Sequence, residues 1–298
     1  MTACGYIAFL GAPNAGKSTL LNRLVGQKLA IVTPKAQTTR SRITGVLIHH
    51  DAQLVLLDAP GVFDAGESKQ FERAMVDCAW RGVSDADHVL MLMDASVGLN
   101  GENRAIIERL QQVQKPVSLV LNKIDAVAKP TLLELTAAAN ALYGFKETFM
   151  ISALKGDGVE RLLDTLADSV PQGPWLYPED HLTDLPQRLI ASEITREKCF
   201  LKLREELPYS LSVETESWEE KPDGSIKINQ TIFVEREGQK GIVLGKGGAM
   251  LKTIGQLARE DISRMWECPI HLFLFVKIRE NWKSNPDSYA YMGLQKPK

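Results

Sequence analysis

The sequence predicts an α/β chain in two parts: an open, doubly wound, mostly parallel sheet, followed by a smaller α+β domain. Three observations carry that expectation. Short apolar runs alternate with helical patterns through the first part, four prolines then interrupt every periodicity, and beyond them the order of elements changes. A chain of 298 residues, 44% hydrophobic and 24% charged, is long enough to bury two cores.

Tyr6–Leu10, Leu54–Asp58, His88–Met93, Val117–Leu121 and Thr148–Ile151 read as strands buried on both faces. Between them, Lys17–Leu24, Gln70–Arg81, Glu102–Gln112, Leu132–Leu142 and Val159–Ser169 read as helices. Strand alternating with helix predicts a parallel sheet that binds ligands at the C-terminal ends of its strands. Ile43–His50 beside Leu54–Asp58 reads as a hairpin, which adds one antiparallel edge strand. The run PQGPWLYPEDHLTDLP, Pro171 to Pro186, is the best boundary. Residues 1–172 are therefore expected as the first domain, 173–186 as a linker and 187–298 as the second domain with a C-terminal tail.

In the second domain Arg188–Leu203 is expected to be helical, with Leu189, Ile190, Ile194 and Leu201 as its apolar stripe. Tyr209–Trp218 alternates, Lys221–Ser225 turns, and Ile226, Ile228, Ile232 and Val234 line a return strand. A short segment to Leu244 leads to GKGG at Gly245–Gly248. A helix then carries Leu251, Ile254, Ala258, Ile262 and Met265 at helical spacing. In the last strand, His271–Ile278, residues Leu272, Leu274, Val276 and Ile278 are expected to face the core, with Phe273 and Phe275 pointing away. The order is α-β-β-α-α-β.

A formal net charge of -2 argues against a uniformly cationic nucleic-acid binder, but the sum hides an asymmetry. Residues 179–223 carry twelve Asp/Glu against six Lys/Arg, whereas residues 226–298 carry twelve Lys/Arg against seven Asp/Glu. Cys4, Cys78, Cys199 and Cys268 are scattered, which fits reduced thiols better than disulfides or a zinc site. No apolar run approaches the roughly 20 residues of a membrane span, and a cytoplasmic protein is expected. A peripheral contact with the inner face of the cell membrane stays open.

Gly11–Ser18, within GAPNAGKST, fits G-x-x-x-x-G-K-[ST] directly after a strand and at the start of a helix, the setting of a P-loop NTPase. Glycines let backbone N–H groups curl around a β-phosphate, and the helix N-terminus adds partial positive charge. Lys17 would reach β- and γ-phosphate oxygens, and the Ser18 hydroxyl would ligate Mg²⁺. Asp58-Ala59-Pro60-Gly61 supplies a second element: the carboxylate would hold Mg²⁺ through water and the Gly61 N–H would meet the γ-phosphate. The next residue is Val62, where Ras-like enzymes keep a glutamine to orient the attacking water. An isopropyl group can neither donate nor accept, so other groups must position that water.

LNKIDA places Asn122, Lys123 and Asp125 at the end of a strand. Asp125 would accept from guanine N1–H and N2–H₂, which adenine lacks, so GTP and GDP are the expected ligands. Asn122 would tie loops together and the Lys123 stem would cover the base. Backbone N–H groups of Ser152, Ala153 and Leu154 would meet guanine O6.

Gly11–Ser18, Thr38-Thr39-Arg40, Asp58–Gly61, Asn122–Asp125 and Ser152–Leu154 together resemble the five guanine-nucleotide motifs of translation-factor-class GTPases. With KAQTTR at Lys35–Arg40 and the C-terminal domain, the whole chain resembles the bacterial ribosome-assembly GTPases of that class. The resemblance implies nucleotide contacts at Gly11, Asn14, Ala15, Gly16, Lys17, Ser18, Thr19, Asp58, Gly61, Asn122, Lys123, Asp125 and Ser152–Leu154. It implies Mg²⁺ ligands at Ser18, Thr39 and Asp58, with Lys17, Asn14, Thr39 and Gly61 serving a slow hydrolysis. Related GTPases use an asparagine at the Asn14 position to help bind K⁺, which would neutralise charge developing toward the leaving group.

G-x-x-G between two helices, in this element order, resembles a type II KH domain. Gly245, Lys246, Gly247 and Gly248 would approach a single RNA strand, with Lys240, Lys252 and Arg259 tracking phosphates. By resemblance the RNA is the 3′ region of small-subunit ribosomal RNA, the partner is the 30S subunit, and the protein is a monomer. Two other readings compete: an RNA-binding module with a relic nucleotide site, and a metabolic P-loop kinase. Lys17, Ser18 and Asp58 together oppose the first, and a GxxG loop in place of an acceptor pocket opposes the second.

Overall fold

The computed structural model describes residues 2–35, 38–66, 69–285, 289 and 291–295; Ala36 and Gln37 of the KAQTTR motif lie outside the described residues. The chain forms two compact units. One takes the described residues through Ala30, Thr38–Asp184 and those from Tyr289 onward, and the other takes Ile31–Lys35 with Leu185–Asn285.

The first unit is built in the order β1 (Ala3–Leu10), α1 (Lys17–Val25), β2 (Ile43–His49), β3 (Ala52–Asp58), α2 (Gln70–Asp85), β4 (His88–Asp94), α3 (Gly101–Leu110), β5 (Val117–Asn122), α4 (Lys129–Leu142), β6 (Thr148–Met150) and α5 (Val159–Ser169). Its sheet runs β2-β3-β1-β4-β5-β6, and only β2 is antiparallel to its neighbour. Every residue of β3 and β5 is buried, as expected of strands covered on both faces. On one face Trp80 and Val83 of α2, Ile106, Ile107 and Leu110 of α3 and Leu132 of α4 share a core with Val89, Met91 and Leu119. On β2 and β3 pack α1 and α5. Because β1 neighbours both β3 and β4, the strand order reverses there, and the loop after β1 opens into the crevice where such sheets bind ligands.

The stretch expected as a linker is fastened to this unit. The Gln53 carboxamide accepts from the Leu176 and Tyr177 N–H groups at 2.8 and 3.0 Å and donates to the Tyr177 carbonyl at 2.8 Å. Val46 N–H donates to the Leu182 carbonyl at 2.8 Å. Trp175 and Tyr177 pack against Cys4, Val55 and Leu57.

The second unit contains α6 (Gln187–Lys202), β7 (Leu211–Glu220), β8 (Ile226–Val234), α7 (Glu237–Leu244), α8 (Ala249–Trp266) and β9 (Ile270–Ile278). The sheet order is β7-β8-β9, with β7 antiparallel and β9 parallel to β8, which is the expected α-β-β-α-α-β arrangement. Ile254, Ala258 and Ile262 of α8 are fully buried against it. Two expected core positions differ. Leu201 is half exposed in the last turn of α6, where Cys199 and Phe200 supply the buried side, and Ile278 is exposed as the last residue of β9. Phe273 and Phe275 do point outward, and Trp282 is buried, donating to the Ser210 carbonyl at 3.1 Å. Among the described residues no helix is long and apolar enough to cross a membrane.

Candidate nucleotide site and RNA groove

The loop between β1 and α1 is shaped by its glycines. Gly11 has φ +154° and a Cβ there would fall 2.3 Å from the Leu92 carbonyl oxygen, so the loop can approach β4 this closely only without a side chain. Gly16 has φ +93° and an added Cβ would lie 2.1 Å from Asn122 Nδ2. Asn14 also takes a positive φ, 62°, at the exposed crown of the loop. Lys17 is buried, and its Nζ donates to the Gly11 and Ala12 carbonyls at 3.1 and 3.0 Å. Burial pulls its pKa down to about 8, with Asp58 opposing.

The three oxygen ligands predicted for Mg²⁺ converge. Ser18 Oγ donates to Asp58 Oδ2 at 2.6 Å and lies 2.8 Å from Thr39 Oγ1. Since a hydroxyl has one proton and Ser18 gives its own to Asp58, Thr39 is the donor to Ser18. Asp58 is fully buried, its other oxygen Oδ1 has no hydrogen-bond partner among the described residues, and burial pushes its pKa up to about 6 against Lys17 and Ser18. A fully buried carboxylate with an orphaned oxygen beside two hydroxyls is a hard-oxygen donor set suited to Mg²⁺. Thr39, 7% exposed, is thus brought to this cluster.

Gly61 packs so tightly on the loop that a Cβ would meet Pro13 at 2.7 Å. The next N–H, that of Val62, donates to the Gly11 carbonyl at 3.0 Å. The Val62 side chain is buried in the core cluster that holds Leu10, Ala12 and Ala59. This position is therefore part of the core, which accounts for an aliphatic residue where a water-orienting amide would otherwise stand.

At the base-reading end, Asn122 is the brace the sequence suggested. Its Nδ2 donates to the Ala15 carbonyl at 2.8 Å and its Oδ1 accepts from the Ala153 N–H at 2.9 Å, joining the phosphate loop to Ser152–Leu154. Lys123 sits at φ +62° and donates to Asp94 Oδ2 at 2.6 Å. Asp94 is a site residue that motif reading missed: it ends β4 directly beside Asn122 in the parallel register. Asp125 lies in a short turn, with Lys155 Nζ at 3.5 Å; a hydrogen bond from Ser152, foremost, keeps its carboxyl below the usual range, and Lys155 adds to this. Thr19 lies in the first turn of α1 and is partly buried.

In the second unit Gly245, Gly247 and Gly248 have φ of +70°, +61° and +81°, so the turn needs glycine at each. A Cβ on Gly245 would meet Met250, whereas Gly247 and Gly248 have open space beside them. Next to this turn a groove of about 380 Å³ is lined by residues including Gly248, Leu251, Lys252, Arg259, Leu272 and Leu274. Lys252 and Arg259 thus sit where a backbone could be tracked. Lys240, on α7, pairs with Glu237 at 3.7 Å and is not among the groove residues.

Comparison with known proteins follows the same division. Residues 6–123 fit the model of the 50S ribosome-binding GTPase family and residues 206–283 that of the KH domain. GTPase Era of Mesorhizobium japonicum is 55% identical over 296 residues, 99% of this chain and 95% of that protein. GTPase Era of Rhizobium meliloti is 54% identical over 297 residues. The chain belongs to the Era family of GTPases. Among solved structures, an Aquifex aeolicus Era variant bound to GDP·AlF4⁻ matches with a TM-score of 0.92 and 37% identity, covering 98% of this chain and 99% of the other. Era in complex with MgGDPNP and nucleotides 1506–1542 of 16S ribosomal RNA matches equally well, at TM-score 0.92 and 37% identity. The Era fold thus extends over both units, and its P-loop GTPase and KH parts coincide with the two sites described above.

Proposed function

We propose that this chain hydrolyses GTP as a slow switch that controls its grip on the 3′ region of small-subunit ribosomal RNA, and so assists 30S assembly in the cytoplasm. The observation that carries the catalytic half is the Thr39–Ser18–Asp58 chain with its unpartnered buried oxygen. Ser18 and Thr39 would hold Mg²⁺ directly and Asp58 through water; the ion supplies charge neutralisation between the phosphates. Lys17, whose Nζ lies at the Gly11 and Ala12 carbonyls, meets the phosphate oxygens. Gly61 offers its N–H to the γ-phosphate, and Asp125 accepts from the guanine edge. With Val62 committed to the core, the attacking water is oriented by backbone groups of the loops around Thr39 and Gly61.

A cation would neutralise the charge that develops toward the leaving group, and Asn14, exposed on the crown of the phosphate loop, helps hold K⁺ there. RNA enters the groove beside Gly245–Gly248, where the bare glycines admit the backbone and Lys246, Lys252 and Arg259 meet phosphates. Two compact units, with the boundary near residue 185, carry the two activities.

Phosphate release measured with GTP in KCl and in NaCl, for the wild type, Asn14→Ala and Asp125→Asn, tests the reading. Hydrolysis should be faster in KCl, Asn14→Ala should lose that difference, and Asp125→Asn should shift preference toward xanthosine triphosphate. Equal rates in both salts remove K⁺ from the mechanism, and an unchanged base preference removes Asp125.

A further inference from the structure

The turn between β2 and β3, at His50 and Asp51, lies apart from the residues assigned above. Successive residues of a strand point to opposite faces, so His49 and His50 would ordinarily diverge. His50 instead adopts φ +52°, the left-handed region, and the two imidazoles come to lie side by side with ring centroids 4.1 Å apart. Both reach one carboxylate from another element: His49 Nε2 is 2.6 Å and His50 Nε2 is 3.5 Å from Asp164 Oδ1 of α5. One ligand atom from each of the three residues can be chosen so that all lie within 4.8 Å of one another.

Two imidazoles and one carboxylate form a borderline-soft donor set, the type that suits Zn²⁺. Zinc–ligand bonds of about 2.0–2.1 Å place the ligand atoms of a tetrahedral site about 3.3 Å from each other. His50 and Asp164 keep 75% and 52% of their side-chain surface exposed, so both have room to rotate toward that spacing. We propose that His49, His50 and Asp164 bind Zn²⁺ with a fourth, open position, and that the ion fastens the β2–β3 hairpin to α5. The His49–Asp164 hydrogen bond is then replaced by two metal–ligand bonds. Counting cysteines could not reveal this site, because none takes part.

The full chain, freed of metal and without an affinity tag, is saturated with GDP and Mg²⁺ so that the Ser18–Asp58 site is filled. It is then titrated with Co²⁺, read by its visible d–d absorption, and competed with Zn²⁺. One equivalent should give tetrahedral bands without the near-ultraviolet band of thiolate ligation, and Zn²⁺ should remove them. Two variants keep the test independent of folding. His50→Gly removes a ligand at a backbone angle glycine prefers, and Asp164→Asn is nearly isosteric on an exposed helix face. Each should weaken binding by at least about tenfold. Absence of the bands from the wild type, or a loss of affinity in fewer than both variants, overturns the site.

Discussion

Asn122 is where the geometry makes its firmest quantitative demand. The side chain is 2% exposed and spends its amide nitrogen on the Ala15 carbonyl and its amide oxygen on the Ala153 N–H, at 2.8 and 2.9 Å. Asn122→Ala removes both, leaving one buried acceptor and one buried donor without partners. Each such group costs about 1–3 kcal/mol, and water entering the vacated space can offset part of the sum, so the pair is worth about 3 kcal/mol. At about 1.4 kcal/mol per tenfold, this equals about a hundredfold in an equilibrium constant. The brace joins two loops of the protein that also form the nucleotide site, so the loss should divide between the stability of the free protein and its affinity for GDP. Urea unfolding without nucleotide and calorimetric titration with GDP, taken together, should recover the whole amount. Asn122→Asp can still accept from Ala153 but presents an acceptor to an acceptor at Ala15, and should lose no less. If Asn122→Ala changes unfolding by under about 0.5 kcal/mol and GDP affinity by under about twofold, the two loops are not organised through this residue.

Val62→Gln places a carboxamide in the cluster of Leu10, Ala12 and Ala59, so unfolding free energy should fall by about 1–3 kcal/mol with no gain in hydrolysis; a clear acceleration in phosphate release would mean the side chain reaches the nucleotide. Gly247→Asp meets no atom within 4 Å but strains a φ of +61° and sets a negative charge beside the groove, so filter binding should show RNA affinity lost while basal GTP hydrolysis persists. His88, buried with Nε2 2.9 Å from Ser118 Oγ and Nδ1 without a partner among the described residues, has its pKa lowered to about 4 by burial and, secondarily, by Lys146. The unfolded chain takes up this proton near pH 6.5 and the folded chain only near 4, so stability should fall as pH drops through that window, by up to about 3 kcal/mol. His88→Gln should flatten that part of the urea-midpoint profile, and a profile parallel to the wild type would refute the assignment.

The nucleotide motifs were legible because each is contiguous and sits at the end of a strand whose apolar run announces it. Residues 11–18, 58–61 and 122–125 needed only the rule that open sheets bind ligands at those ends. Asp94 was not legible, because its role depends on β4 lying next to β5, which places Asp94 opposite Asn122. No spacing in the sequence encodes that adjacency. Gln53 illustrates the same difficulty at the proposed linker: a polar residue in a buried strand has meaning only once Leu176 and Tyr177 are seen on its carboxamide. Leu201 and Ile278 fit the apolar period yet lie exposed, because periodicity reports a face and not where the covering element ends.

The four consecutive polar residues Thr195-Arg196-Glu197-Lys198 wrap around α6, and all four are buried. Buried charges are tolerated only when paired, and within the second unit these are. Lys198 meets Glu197 at 2.9 Å and also Asp261, and Arg196 meets Glu193. Glu197 Oε1 additionally accepts from the Val32 N–H at 3.0 Å, and Lys35 Nζ donates to the Phe200 and Leu203 carbonyls at 2.6 and 2.5 Å, satisfying orphan acceptors at the end of α6. The receptor for Ile31–Lys35 is therefore a helix end made polar for that purpose, and the chain continues from this segment to Thr39. On the proposed assignment of Thr39 to Mg²⁺, this segment is held at one end by α6 and completed at the other by the ion, and it can report nucleotide state only if the first hold is intact. Lys35→Met keeps the aliphatic stem and removes the two hydrogen bonds. Hydrogen exchange at the Val32 amide should then quicken by about tenfold or more, the equivalent of about 1.4 kcal/mol. The ratio of RNA affinities with GTP and with GDP bound should move toward one. Exchange and ratio both unchanged would show that α6 holds this segment without consequence for the switch.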